Sequence, residues 1–245
     1  MSGYLKPPFG RIGNKMPMMN TLLSLIPEHT LYVEVFAGSA ALFFNKEPTK
    51  SILNDTDDDV IYRLKLLKKV PLFDNPNEKY TIDELKQLYN KPVRTLKDAV
   101  IHEKLKSSVG FSNIPIIKSS QIYNSINPYI IGDHLPEYKK LLSRATLTQK
   151  DYTYILKKYD SPTTFFFLDP PYENTDYYKE NEINYEEMRD LLCKLQGWFL
   201  LTINDSPYIR KVFKDFNIQK IKVKTNLQHA KEGKTRKELI ISNYS

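Results

Sequence analysis

Asp169, Pro170, Pro171 and Tyr172 stand together at the end of an apolar run, Thr163 to Leu168. An acid and two prolines also close ordinary strands. Here an uninterrupted hydrophobic strand precedes them and an aromatic follows directly, which favours a site in the crevice at the carboxyl end of a sheet. The Asp169 carboxylate and the Pro170 carbonyl are two hydrogen-bond acceptors held close together, and two consecutive prolines stiffen the chain between them. Two adjacent acceptors suit an amine with two hydrogens. Adenine's exocyclic nitrogen is such an amine, and it is a poor nucleophile because its lone pair is delocalised into the ring. Holding both hydrogens would favour a more tetrahedral nitrogen with the lone pair aimed at an electrophile such as a methyl group. The Tyr172 ring would then stack on a base rotated out of its duplex, offsetting part of an unstacking cost of a few kcal/mol.

A second constellation lies earlier in the chain. The apolar run Leu31 to Phe36 passes straight into Ala37, Gly38, Ser39 and Ala40, where a helix is expected to begin. Small residues in a tight turn after a parallel strand let a ligand lie against bare backbone. A dinucleotide fold would place three glycines here to approach a pyrophosphate, and this turn has only Gly38, so a nucleoside cofactor without phosphates fits better than a nicotinamide. The next strand ends at Asn54 and Asp55, about where an acid reaches ribose hydroxyls in nucleotide-binding folds. Asp55 also reads as a plain helix-start acid beside Asp57, Asp58 and Asp59. A calcium loop is excluded, because Val60 and Leu66 occupy the positions that need glycine and glutamate.

Positioning these residues requires alternating strands and helices. Buried strands are expected at Leu31–Phe36, Ser51–Asn54, Thr163–Leu168 and Trp198–Ile203. Helical spacing recurs at Met18–Ile26, Ser39–Asn45, Asp57–Lys68, Tyr185–Gln196 and Pro207–Phe213. The alternation predicts an α/β fold on a mostly parallel sheet, closed by an antiparallel hairpin from Ile218–Val223 and Arg236–Asn243. Between Leu72 and Pro136 the pattern changes to short helices, one opened by a Thr81–Glu84 capping box and one at Arg94–Lys106, followed by a loop from Ser107 to Pro128. The expected organisation is a catalytic domain from 1–58 and 135–245 with a small, mainly helical domain inserted at 59–134.

Composition narrows the partners. The net charge is +7, and it is concentrated: residues 210–239 hold ten Lys and Arg against three Asp and Glu, and residues 86–120 hold seven against two. Two basic blocks on an otherwise acidic chain suit a polyanion, although a lysine-rich surface alone would look the same. No apolar run is long enough to span a bilayer and the first residues lack a signal-peptide layout, so the cytoplasm is the expected compartment. A lone Cys193 and scattered His29, His102, His134 and His229 offer no zinc cluster, and no metal is expected. Cys193 falls in a helical pattern, which argues against the thiol nucleophile that cytosine ring-carbon methylation needs.

Taken together, the sequence resembles the Dam-like (D12 class) DNA adenine-N6 methyltransferases. The resemblance runs through Arg11, Ile12, Gly13, Asn14 and Lys15, then Val33 to Gly38, Leu53 to Asp55, Asp151 and Tyr152, Asp169 to Tyr172, and the closing strand Glu238 to Tyr244, in the family's order over residues 9–69 and about 145–244. It departs from the family at Ala40, where a second glycine is usual, and at Arg11, where an aromatic is common. The resemblance implies a Rossmann-like class I fold, S-adenosylmethionine as cofactor, and methyl transfer to N6 of a flipped-out adenine in double-stranded DNA; a monomer is the default expectation, with a dimer on DNA as the alternative. Asp169, Pro170, Pro171 and Tyr172 would be the catalytic set. Arg11, Lys15, Phe36, Ala37, Gly38, Ser39, Asp55, Asp151, Tyr152 and Asp169 would enclose the cofactor. The insert would recognise the target, and from the two basic blocks Lys91, Arg94, Lys118, Lys231, Lys234 and Arg236 would contact the DNA. Cytosine N4 or RNA adenine as target, and a silent DNA-binding protein on the same scaffold, are the competing readings.

Overall fold

Three consecutive phenylalanines, Phe165, Phe166 and Phe167, are all buried, which a strand allows only when both faces of its sheet are covered. A computed structural model describes residues 3–9, 13, 15–69, 87, 134–172, 183–224 and 235–245. Its strands are β1 (Leu31–Glu34), β2 (Lys50–Asn54), β3 (Ala145–Thr148), β4 (Thr164–Leu168), β5 (Trp198–Asn204), β6 (Asn217–Lys224) and β7 (Thr235–Ser242). They form a single sheet in the order β3-β2-β1-β4-β5-β7-β6. The first five strands pair in parallel, and β7 runs antiparallel to both β5 and β6. This is the Rossmann-like sheet with a closing antiparallel hairpin that the sequence predicts.

Alternation along each strand divides the core into two layers. Tyr32, Leu53, Phe165, Phe167, Leu200 and Ile240 face one side, against α1 (Met19–Ser24), α2 (Asp58–Lys69) and α3 (Leu135–Leu142). Val33, Ile52, Phe166, Leu168, Phe199 and Leu201 face the other, against α4 (Tyr152–Tyr159), α5 (Tyr185–Leu192) and α6 (Pro207–Val212). Each buried phenylalanine contributes roughly 1.5–3 kcal/mol. The second-layer helices start on side-chain caps: Asp151 accepts from Thr153 N, Asn184 from Glu187 N, and Ser206 from Ile209 N.

Chain order reverses between β1 and β4, since β2 and β3 lie to one side and β5 to the other. That reversal opens a crevice at the carboxyl ends of β1 and β4, where ligands of open parallel sheets bind.

The helix expected at Ser39–Asn45 is a series of turns instead. Ala40 sits at φ 54, a left-handed conformation that breaks the helical ladder. Asn45 then completes the interruption, because its Nδ2 donates to Ala41 O at 2.9 Å, the carbonyl its own amide would use in a helix. The same side chain bonds Leu5 N and Leu5 O, fastening the N-terminal segment. α3, β3 and α4 are unforeseen in the sequence, and β3 forms the near edge of the sheet. Met18–Ile26 is a 3₁₀ turn at Met16–Met18 leading into α1, and the other expected elements appear with ends shifted by a few residues. The expected Thr81–Glu84 capping box, the helix at Arg94–Lys106 and the loop from Ser107 to Pro128 lie outside the described residues. Among the described residues no helix is long and apolar enough to cross a membrane.

Candidate active site

β4 delivers Asp169 to the crevice one residue beyond the sheet. Its Oδ2 pairs with Lys15 Nζ at 2.7 Å, and its Oδ1 accepts from Thr202 Oγ1 at 3.0 Å. Lys15 is only 4% exposed and reaches the carboxylate from the segment before α1. Its ammonium also donates to Gly13 O at 2.8 Å and to the Tyr172 hydroxyl at 3.3 Å, and it stands 5.3 Å from the centre of the Tyr172 ring. Gly13 adopts φ 84, a conformation that favours glycine, and so turns the chain to present Lys15. Tyr185 at the start of α5 donates to Pro171 O and pins the diproline backbone.

The electrostatics follow from this packing. Burial raises the Asp169 pKa, the Lys15 ammonium and the Lys15 and Thr202 hydrogen bonds hold it down, and Glu238 adds a smaller upward push. Glu34 is 2% exposed, and burial, then the charge of Asp169, raise its pKa well above the usual carboxylate range. Below it Lys46 lies over the Tyr32 ring at 4.4 Å and donates to Glu47 O and Thr49 Oγ1. Burial lowers the Lys46 pKa to about 8, with Glu34 opposing. An acidic face therefore lies under the crevice, with Lys15 as the cation at its surface.

Beside Asp169, the turn after β1 forms the second part of the site. Gly38 has φ 49, and a side chain added there would meet nothing within 4 Å. The turn thus shows bare backbone to open space. Asp55 Oδ2 accepts from Gly38 N at 2.8 Å, and its Oδ1 accepts from Asp57 N at 3.0 Å. The carboxylate accepts through both oxygens and so stands fixed at the edge of the turn. Phe36 meets Tyr152 with ring centroids 5.9 Å apart and planes tilted by 31°. Ala37 and Ser39 are buried at the base of the turn. An open glycine turn, an acid at its edge and an apolar aromatic wall fit a nucleoside carrying no phosphate.

Asn54 anchors this arrangement. Its Nδ2 donates to Val35 O and Lys150 O, and its Oδ1 accepts from Thr148 Oγ1 and Lys150 N, all within 3.0 Å. One buried amide thus ties the ends of β1, β2 and β3 with its full hydrogen-bonding capacity, and Asp55 follows it directly.

The structure brings together Lys15, Asp169 and Tyr172, then Gly38 and Asp55, then Phe36 and Tyr152. Asp151 sits beside Tyr152 as an exposed helix cap. Arg11, Lys91, Arg94, Lys118, Lys231 and Lys234 lie outside the described residues, as does the side chain of Arg236. Sequence reasoning missed Asn54 and Thr202 as site residues. The first carried a signal, a polar residue ending an apolar strand; the second lay inside a run that reads as core.

The profile of the D12 class N6 adenine-specific DNA methyltransferases matches residues 12–106 and 121–227. A type II methyltransferase of Lactococcus lactis subsp. cremoris, M1.LlaDCHI, is 26% identical across 95% of this chain and 93% of its own length. Among solved structures, the C-terminal domain of precorrin-6Y C5,15-methyltransferase from Rhodobacter capsulatus aligns at TM-score 0.45 and 10% identity, covering 99% of this chain and 98% of that one. The precorrin-6Y C5,15-methyltransferase of Geobacter metallireducens aligns at TM-score 0.44 and 9% identity, covering 96% of this chain and 91% of that one.

Proposed function

The chain belongs to the D12 class N6 adenine-specific DNA methyltransferase family, and from that premise we propose how its own residues carry the reaction. The activity is S-adenosylmethionine-dependent methylation of adenine N6 in DNA. The finer reading concerns duplex DNA and named roles. Asp169 Oδ2 and the Pro170 carbonyl accept the two amine hydrogens of a flipped adenine, and Tyr172 stacks on its ring. The single observation that carries this is the Asp169 carboxylate, fixed by Lys15 and Thr202 at the tip of a central strand beside the open Gly38 turn.

When bound, S-adenosylmethionine supplies a methyl carbon activated by its sulfonium. Phe36 and Tyr152 would flank the cofactor's adenine, with Asp151 accepting from it. Ala37, Gly38 and Ser39 would lie along it, and Asp55 would accept from its ribose. Arg11 would close the pocket, whereas Lys15 contributes through its grip on Asp169. Asp169 Oδ2 would hold one amine hydrogen through its hydrogen bond and take that proton as the amine is methylated. Positioning the two reactants in line supplies much of the rate.

In this reading residues 1–58 and 135–245 form the catalytic domain, and residues 59–134 recognise the target. Lys91, Arg94, Lys118, Lys231, Lys234 and Arg236 contact the DNA, and a monomer acts in the cytoplasm. Incubation with methyl-labelled cofactor and equimolar unmethylated duplex DNA or RNA, followed by base analysis, tests it. Label is expected as N6-methyladenine in the duplex alone. Label in cytosine, or RNA labelled as fast as DNA, would overturn the assignment.

A further inference from the structure

Polar residues line up on one face of four neighbouring strands. Glu34 of β1, Asp169 beyond β4, Thr202 of β5 and Glu238 of β7 share the face of Tyr32, Phe167, Leu200 and Ile240, by strand alternation. Glu34, Thr202 and Glu238 are 2%, 0% and 0% exposed. Within this row Thr202 contributes a hydroxyl directly beside the Asp169 carboxylate. Leu168 O lies 3.4 Å from the hydroxyl and Asp169 Oδ1 lies 3.0 Å from it. A hydroxyl has a single hydrogen, and the shorter contact to a charged acceptor takes it.

We propose that Thr202 is a positioning residue for methyl transfer: it anchors Oδ1 of Asp169 so that Oδ2 alone faces Lys15 and the incoming amine. The inference rests on the reading of Asp169 as the amine's acceptor. An unanchored carboxylate can rotate about its last bond and exchange its two oxygens, and small misplacements of a reacting group are expensive in rate. The anchor also stabilises the ionised form. The groups facing Asp169 are Lys15 from the N-terminal segment, Glu34 from β1, Thr202 from β5 and Glu238 from β7. Among the described residues Lys15 and Thr202 are the groups that favour its charge, so losing either shifts the carboxyl toward its protonated form.

The test compares Thr202→Val with Thr202→Ser in steady-state kinetics across pH, with Asp169→Ala run in parallel. Valine matches the shape of threonine and suits a strand but donates nothing. The valine variant should lose about tenfold or more in kcat, with KM for cofactor and DNA nearly unchanged. The acid limb of its kcat profile should move to higher pH. Serine should restore both rate and limb. Thr202→Ala carries the same expectation should the valine disturb folding. The proposal is overturned if valine keeps wild-type kcat and pH profile, or if serine is as impaired as valine. Full activity in Asp169→Ala would instead sink the underlying reading, which separates the two failures.

Discussion

Asp169→Ala abolishes methyl transfer, lowering kcat by at least about 10³-fold, while cofactor still binds. The loss is large because the side chain supplies one of two acceptors that exist for the transition state, in a site whose polar groups are fixed before substrate arrives. Cofactor binding survives in part because the glycine turn, Asp55 and the Phe36–Tyr152 wall are held by other bonds. Asn54 keeps that half of the site in place without reference to Asp169. Single-turnover methylation and calorimetric titration of the cofactor measure the two effects separately. A variant with wild-type turnover would remove Asp169 from the chemistry, and one that binds no cofactor would show that the two halves are not independent.

Lys15→Met produces the second large effect, about 10²-fold in kcat at neutral pH, with a pH signature that a packing defect would not share. Removing the ammonium strips Asp169 of a 2.7 Å partner and leaves its partly buried carboxylate near Glu238 and Glu34. The carboxyl, already raised by burial and restrained chiefly by Lys15, moves further upward and is neutral where it should be charged. Activity of the variant therefore recovers relative to wild type as pH rises and Asp169 ionises. Stability moves the opposite way. A carboxyl with a folded pKa above its unfolded one holds its proton longer in the folded state, so stability falls as pH rises through that interval. Breaking a buried pair costs about 3–5 kcal/mol when the remaining charge cannot neutralise itself. Kinetic and chemical-denaturation profiles across pH read both trends. A rate deficit independent of pH would contradict the assigned role.

What the sequence displayed and what it hid have physical explanations. Asp169 to Tyr172 were legible because an acid, two prolines and an aromatic at the end of an apolar run interrupt every local preference at once. The parallel sheet was legible because both its faces are covered, which makes strands such as Thr164–Leu168 continuously apolar. β3 was missed because Ala145–Thr148 is four residues with little apolar signal, at the sheet's edge. α4 carried a signal that went unread: an Asp151 cap followed by Tyr152, Ile155, Leu156 and Tyr159 on one helical face. The turn after Gly38 differed from expectation because no periodicity reports a left-handed Ala40, although its resemblance to a glycine position pointed that way. Thr202 was invisible for another reason. A threonine inside Trp198–Asn204 is what any strand contains, and its partner lies 33 positions away. The Lys15–Asp169 pair joins residues even further apart in the chain, and only their separate motif matches hinted that the two belong to one site.

The most direct test is a structure of the enzyme with a cofactor analogue and a duplex containing its target adenine. The account predicts the flipped amine within hydrogen-bond distance of Asp169 Oδ2 and the Pro170 carbonyl, about 2.7–3.2 Å from each, with Thr202 still on Oδ1. An extruded adenine whose amine is held by other groups, with the Asp169 carboxylate turned away, would contradict it.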